Sequence, residues 1–198
     1  MKKLLILSDL HCGHLAGLTP PQWQTGPPGP NGRTKRAKFA LTQREAWAWY
    51  EKNLAAHGPY DYVVVNGDAI DGRGPKTGGA EQITVDRQEQ VDMACTAIRP
   101  AITKKTTLVM TYGTAYHTGD VEDWENDIFK ELSAGCLASK IGSHEWLDIE
   151  GTIFDFKHHI GSSSIPTGRS TALNKSAVWN VLWADQKYAP RANVLVRS

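Results

Sequence analysis

The sequence predicts an α/β fold built on a largely parallel β-sheet. Short, continuous apolar runs, typical of strands buried on both faces, alternate along the chain with segments of helical periodicity. This alternation implies crossover connections, which place successive strands side by side in the same direction. The chain has 198 residues, a length that favours one large core. We therefore expect residues 1–198 to form a single domain.

Four apolar runs are the predicted strands. They lie at residues 3–8, 61–66, 106–112 and 193–196. In each run, aliphatic residues follow one another without the polar alternation of a strand that is exposed on one face. The last run is the shortest, and its apolar part is Val194, Leu195 and Val196.

Helices are predicted at residues 43–57, 85–99 and 121–133, and a fourth begins after Ser170. Pro100 stops the second helix because proline cannot continue the hydrogen-bonding pattern. In the fourth helix, Leu173, Ala177 and Val181 are spaced to face the core. The expected capping residues, in chain order, are Thr42 with Glu45 as a capping box, Asp120 and Ser170.

Two segments interrupt the alternation of strands and helices. Residues 16–38 are rich in proline and glycine, contain Trp23 and have no periodicity, so they predict a long loop inserted after the first strand. Residues 145–149 and 152–157 are rich in β-forming residues and flank Gly151. This pattern predicts an antiparallel hairpin.

Composition excludes several classes of protein. There are 22 Lys and Arg against 21 Asp and Glu, so the net charge is only +1, which argues against disorder and against bulk electrostatic binding of nucleic acid. No apolar run approaches the roughly 20 residues that span a bilayer, so we expect no membrane contact. The three cysteines form no C-x-x-C pair, which favours reduced thiols in a cytoplasmic protein.

Polar residues follow almost every predicted strand. Because the carboxyl ends of parallel strands meet at one edge of a sheet, these side chains are expected to converge there. Carboxylates together with imidazoles suit Zn, Fe and Mn, so the pattern predicts a metal site. The residues in question are Asp9 and His11 after the first strand, Asp68 after the second, His117 after the third, and His158 and His159 after the hairpin.

The segments Asp9-Leu10-His11 and Gly67-Asp68, with a glycine-containing turn that ends at His117, resemble the first three motifs of the calcineurin-like metallophosphoesterases. The resemblance implies a sandwich of β-sheets flanked by helices. It also implies hydrolysis of a phosphomonoester or phosphodiester by attack of a metal-bound hydroxide. Two divalent ions (Mn, Fe or Zn) would be held by Asp9 and His11, by Asp68 as the bridge, and by His158, with His159 as the alternative to His158.

The third motif departs from the family pattern. It reads Gly113-Thr114-Ala115-Tyr116-His117, so the asparagine ligand of the family is missing. Thr114 is a weak substitute for that asparagine, and His117 is either a metal ligand or the acid that protonates the leaving group. Arg73 lies one residue away from the place of a phosphate-binding arginine in related phosphatases, so it either contacts phosphate or is a solvated loop residue.

The final G-H-x-H motif of the family should follow the strand at 193–196, but the sequence ends at Ser198. We therefore expect the C-terminal strands of the fold to be missing. Such a chain should bind at most one metal tightly or be metal-free, should hydrolyse phosphoesters poorly, and should expose a sheet edge or apolar surface.

Two other functions are consistent with the sequence. The basic run at residues 33–38 near Trp23 is consistent with a nuclease or another nucleic-acid-processing factor, although a solvated loop would have the same composition. The altered third motif is consistent with a binding module that has kept the fold and lost its chemistry. Among the remaining polar residues, Asp71 either orients a ligand histidine or caps a turn, and His144 is expected at the surface.

Overall fold

The structure, a computed structural model, describes residues 1–26, 35–118, 124–159, 161, 168 and 170–198. Its strands are β1 (Leu4–Leu7), β2 (Tyr62–Asn66), β3 (Thr107–Thr111), β4 (Ala138–Gly142), β5 (Glu145–Ile149), β6 (Thr152–Lys157) and β7 (Val194–Arg197). Its helices are α1 (Ala40–His57), α2 (Arg87–Ile98), α3 (Ala115–Thr118), α4 (Glu125–Ser133) and α5 (Thr171–Asp185).

Two sheets form the framework. Strands β1 to β4 make a parallel sheet in the order β1-β2-β3-β4. In the second sheet, β6 lies between β5, which is antiparallel to it, and β7, which is parallel to it. The predicted α/β class and the hairpin at 145–149 and 152–157 are both confirmed.

Strand β2 shows how one strand serves two cores. Its side chains alternate between the faces of the sheet, so Val63 and Val65 lie in the larger core with residues of α1, α2 and α4. Val64 points the other way and packs with Val109 and Phe156 between the two sheets. All three valines are fully buried, which explains why this segment has no polar alternation.

Two strands differ from the sequence prediction. The segment Ala-Ser-Lys-Ile-Gly of β4 carries no apolar run, yet it completes the parallel sheet by pairing with β3. The run at 193–196 does form a strand, but β7 pairs with β6 in the second sheet and is only half-buried. The existence of β4 and the sheet that β7 joins both depend on which distant strand each one pairs with, and the local sequence pattern does not indicate that partner.

The predicted helix starts were wrong in two places. Helix α1 begins at Ala40, so Thr42 and Glu45 lie inside it and form no capping box. Helix α2 begins after Asp86, whose side chain accepts a hydrogen bond from the backbone N–H of Glu89. This is a regular N-cap, and it displaces the expected start at residue 85. For the third helix, α4 ends as expected at Ser133, whereas Asp120 and residues 121–123 lie outside the described residues.

Helix α5 corrects a prediction about burial. Leu173, Ala177 and Val181 were expected to face the core, but all three are exposed, and α5 has no buried residue. The side chain of Ser170 makes no capping hydrogen bond in the part of the chain that the structure describes. Apolar residues alone therefore did not indicate a buried face, because among the described residues α5 packs mainly along β7 and leaves most of its side chains exposed.

The described parts of the predicted loop at 16–38 contain two short 3-10 turns, Pro21–Trp23 and Lys35–Phe39. Residues 27–34 lie outside the described residues, and with them part of the basic run at 33–38. Among the described residues, no helix has the length and apolar character needed to cross a membrane.

Candidate metal centre

The site forms where β1, β2, β3 and β6 end. Backbone hydrogen bonds join the turns after β1 and β2, with His11 N–H donating to the carbonyl of Asp68 at 3.0 Å. Asp9, His11 and Asp68 all have positive φ angles, of 54°, 45° and 50°. Non-glycine residues rarely adopt this conformation, and clusters of them are typical of functional sites.

Two groups of possible metal ligands overlap at this point. His11, Asp68 and His117 form one group, and Asp9, Asp68 and His158 form the other. Within each group the ligand atoms lie within 4.8 Å of one another, and Asp68 belongs to both. The predicted convergence of strand-end residues is confirmed for five of them and wrong for His159, which is exposed; the five are Asp9, His11, Asp68, His117 and His158. Their role as ligands is still a prediction.

The three imidazoles share one orientation. Each has its Nδ1 atom directed away from the centre: that of His11 lies 3.0 Å from Asp71 Oδ1, that of His117 2.8 Å from the Asp71 carbonyl, and that of His158 2.7 Å from the Asn66 carbonyl. Carbonyl and carboxylate oxygens only accept, so Nδ1 carries the hydrogen in each ring. Each Nε2 atom therefore faces the carboxylates, to which it donates a hydrogen when the ring is protonated and beside which it offers a lone pair to a cation when the ring is neutral.

The distances at the centre fit this orientation. His158 Nε2 lies 3.0 Å and His117 Nε2 3.9 Å from Asp68 Oδ2, while His11 Nε2 lies 3.8 Å from Asp9 Oδ1. In metal sites of proteins, histidine ligands commonly donate the other ring N–H to a carbonyl or carboxylate. The donor set here has the chemistry of a site for divalent metal.

Asp68 is the more enclosed of the two candidate carboxylate ligands, Asp9 being 44% exposed. Its side chain is 5% exposed, and Oδ1 accepts a hydrogen bond of 2.7 Å from the backbone N–H of Thr114. The hydroxyl of Thr114 lies 3.3 Å from both carboxylate oxygens. Burial alone would raise the pKa of Asp68, but the hydrogen bonds from His158 and Thr114 outweigh it and lower the pKa, which keeps the carboxylate ionised.

Asp71 orients two of the imidazoles. Its buried carboxylate contacts the rings of both His11 and His117. It also accepts a hydrogen bond of 2.5 Å from Gln82 Nε2. Burial acts to raise the pKa of Asp71, but these hydrogen bonds lower it strongly. Of the two roles left open by the sequence, the geometry therefore favours the orienting one.

The two histidines nearest Asp68 are also electrostatically coupled to it. Burial alone would lower the pKa of His158 and of His117, but hydrogen bonds and the charge of Asp68 raise both above the usual histidine value. At His117 the hydrogen bonds to Asp71 raise the pKa more than the charge of Asp68 does. In this arrangement the carboxylates attract positive charge to the centre, whether a proton or a metal cation supplies it.

Two glycines allow this close packing. Gly67 has φ = 74°, and a Cβ atom at this position would collide with the imidazole of His158. A Cβ atom at Gly113 would collide with the carboxylate of Asp68. The glycines of the second and third motifs are therefore required by the approach of a ligand side chain to the backbone.

Glu125 stabilises the backbone of the site, and it is not among the residues predicted from the sequence. It is fully buried, and its carboxylate accepts hydrogen bonds from Ala69 N–H at 3.1 Å and Gly113 N–H at 2.6 Å. It thus ties together the turns that follow β2 and β3. A signal was present, because Glu125 shares the buried stripe of α4 with Ile128 and Leu132.

Other candidate residues lie outside the two groups. His159 is exposed, whereas its neighbour His158 is buried in the second group. Arg73 is also exposed, and its guanidinium lies 5.8 Å from the centre of the Trp124 ring. His144 was expected at the surface, but its ring is only 17% exposed and its Nε2 atom lies 2.7 Å from Asp155 Oδ1. Pairing with a buried carboxylate explains that difference.

Strand β7 also ends beside the site. The hydroxyl of Ser198 lies 3.1 Å from His158 Nδ1 and accepts a hydrogen bond of 2.7 Å from Asn66 Nδ2.

Compared with known proteins, the chain matches no family model and no curated sequence. Inference about function therefore rests on the geometry of the site.

Proposed function

We propose that this protein is a metal-dependent phosphoesterase with a calcineurin-like site. One observation carries the proposal: two groups of ligand atoms share the carboxylate of Asp68, and every histidine in them presents Nε2 to the centre. A carboxylate shared by two groups is the arrangement needed to bridge two cations. Its position between Asp9, His11 and His158 is the one that the sequence resemblance implies.

The residues have separate roles in this proposal. Asp9 and His158 would hold one cation, His11 and His117 would hold the other, and Asp68 would contribute to both, whereas the family resemblance pairs Asp9 with His11. His117 is assigned as a ligand because its Nε2 atom belongs to the group of His11 and Asp68. Thr114 positions Asp68 through its N–H and hydroxyl and takes no ligand role of its own.

When bound, divalent cations supply Lewis acidity, lower the pKa of a bound water and neutralise charge on a phosphoryl group. The chain supplies the geometry. Asp71 and the Asn66 carbonyl hold the imidazole rings in one orientation, and Glu125 fixes the spacing of the turns that carry Asp68 and Thr114. Such fixed geometry reduces reorganisation during the reaction.

The test is hydrolysis of 4-nitrophenyl phosphate and bis(4-nitrophenyl) phosphate with Mn²⁺, Zn²⁺ or Fe²⁺, with metal content measured in parallel. Asp68→Asn should reduce turnover at least about 100-fold, because both cations depend on this carboxylate. Asp92→Asn is the matched control, since Asp92 is exposed on α2, and it should be unaffected.

The outcome separates the alternatives. Metal binding that depends on Asp68 without turnover of either ester would contradict the enzyme and support a binding module that has lost its chemistry. Turnover unchanged in Asp68→Asn, with metal content confirmed, would exclude the proposed centre. Preference for the diester over the monoester would favour the nuclease alternative.

A further inference from the structure

Strand β1 lies at the edge of the four-stranded sheet. Within the part of the chain that the structure describes, β2 is its only strand neighbour. A groove of about 970 Å³ runs along its free side, between β1 and helix α1. The groove is lined mainly by apolar residues and reaches Asp9 at the end of the strand.

The hydrogen bonds of β1 show which of its backbone groups face this groove. The carbonyl of Lys3 accepts from Tyr62 N–H, and Asp9 N–H donates to the carbonyl of Gly67. Odd-numbered residues of β1 therefore bond to β2, and the N–H and C=O groups of Leu4 and Ile6 face the groove. An unpaired row of this kind is a template for another strand.

The side chains around the free edge are apolar and partly exposed. Trp49 on α1 is 68% exposed and Ile6 is 39% exposed. Leu5 and Leu7 lie on the α1 side of the sheet, with Tyr50 close by. An incoming strand would thus gain backbone hydrogen bonds together with apolar burial.

We propose that β1 pairs antiparallel with β1 of a second copy of this chain. Only residues whose backbone groups face the groove exchange hydrogen bonds, so even-numbered residues must stand opposite each other. A register centred on Leu5 places Leu4 opposite Ile6 and Lys2 opposite Ser8. It uses the strand from end to end and forms about eight backbone hydrogen bonds across a twofold axis.

The hydrogen-bond pattern decides between the two possible directions. In a parallel ladder, a residue whose backbone groups face the partner stands opposite one whose groups face away. A twofold axis would place even-numbered residues of both copies opposite each other, so a symmetric parallel pair could not form these hydrogen bonds. In the antiparallel pair, both copies contribute the same free edge of β1, so one contact satisfies both edges.

Sedimentation equilibrium of the 198-residue protein tests the pairing. We expect a species of twice the 21.8 kDa chain mass, and Ile6→Lys should raise its dissociation constant at least about tenfold. Leu137→Lys is the matched control, because Leu137 is 69% exposed and precedes β4, the other edge strand of the same sheet. Circular dichroism checks that both variants fold.

Cysteine cross-linking tests the register without relying on Ile6→Lys. In a Cys136→Ser background, Leu5→Cys should form a disulfide-linked dimer on oxidation, since Leu5 meets its copy at the axis with Cα atoms about 4.5 Å apart. Ile6→Cys should not. A monomer at all concentrations, a dimer weakened equally by Leu137→Lys or unaffected by Ile6→Lys, or cross-linking at Ile6 and not at Leu5 would overturn the proposal.

Discussion

The imidazoles of the site differ in the charge of the group that holds their Nδ1 atoms. His158 donates to a backbone carbonyl, whereas His11 donates to the carboxylate of Asp71, and His117 lies close to that carboxylate as well. A hydrogen bond to a charged acceptor is stronger than one to a neutral acceptor and makes the ring a better ligand. Asp71 is therefore the polar neighbour on which metal binding should depend most.

Asp71→Asn keeps the shape of this side chain and removes its charge. We expect the affinity for Mn²⁺, measured by isothermal titration calorimetry, to fall about 10-fold to 100-fold, because the His11 ring loses its charged acceptor. Asp92→Asn on the exposed face of α2 should bind Mn²⁺ as the unmodified protein does. Equal affinity in Asp71→Asn and the control would contradict the orienting role of Asp71.

Asp155 belongs to a buried charge cluster outside the metal site. Its carboxylate accepts hydrogen bonds from His144 at 2.7 Å and from Arg197 at 2.8 Å, and Arg197 is only 6% exposed. Burial alone would raise the pKa of Asp155, but these two partners outweigh it and lower the pKa below the usual aspartate range. The cluster links β6 to β7.

Asp155→Asn should lower the free energy of unfolding at pH 7 by about 3 kcal/mol, because the buried Arg197 loses the negative charge that balances it. A carboxylate whose pKa is lowered in the folded state stabilises the protein at pH values above its unfolded-state pKa of about 3.9. This stabilisation is lost as the pH falls through the folded-state pKa. Urea unfolding from pH 7 to pH 2 should therefore show a weaker loss of stability in acid for this variant than for the unmodified protein. Asp185→Asn, at an exposed carboxylate, should leave both values unchanged.

At the scale of elements, α4 connects the turns that follow β2 and β3 through Glu125. Glu125→Gln places an amide N–H₂ against one of two backbone donors, Ala69 N–H or Gly113 N–H, so one hydrogen bond becomes a contact between donors. We expect the free energy of unfolding to fall by about 1–3 kcal/mol in urea. Mn²⁺ affinity should fall with it, because the turn of Asp68 loses its support.

Glu131→Gln is the control on the same helix. Glu131 is 42% exposed and pairs with Arg99 at the surface, so its loss should cost less than about 1 kcal/mol. If the two variants lose equal stability, the buried bridge of Glu125 has no special role.

At the scale of the whole molecule, a bound cation should stabilise the fold, because its ligands come from β1, β2, β3 and β6 and are brought together only in the folded chain. At a Mn²⁺ concentration of 100 times the dissociation constant, linkage gives about 2.7 kcal/mol. For a chain of this size that corresponds to a rise in Tm of about 5–11 °C.

Differential scanning calorimetry with and without Mn²⁺ measures this rise. Asp68→Asn should abolish it, and Asp92→Asn should retain it. A rise of equal size in both variants would place the stabilising cation elsewhere on the protein.

The sequence by itself determined the elements whose signal is local. Strands β2 and β3 are uninterrupted apolar runs, the hairpin of β5 and β6 alternates around Gly151, and Asp9, His11, Asp68 and His158 each follow a strand. Parallel strands end at one edge of a sheet, so Asp9, His11 and Asp68 could be expected to meet from the sequence alone. His158 follows β6 of the second sheet, so its place beside Asp68 was decided by how the two sheets pack.

Tertiary structure decided what depends on distant partners. Strand β4 is polar and exists because β3 offers it an unpaired edge, and β7 joins the second sheet because β6 lies beside it. Helix α5 has the apolar content of a buried helix but packs mainly along β7 in the described structure, so most of its side chains stay exposed. Glu125 and Asp71 acquire their roles from backbone and imidazole groups far away in sequence. The pairing of distant segments is a property of the whole chain, because it depends on which edges and polar groups other segments leave unsatisfied.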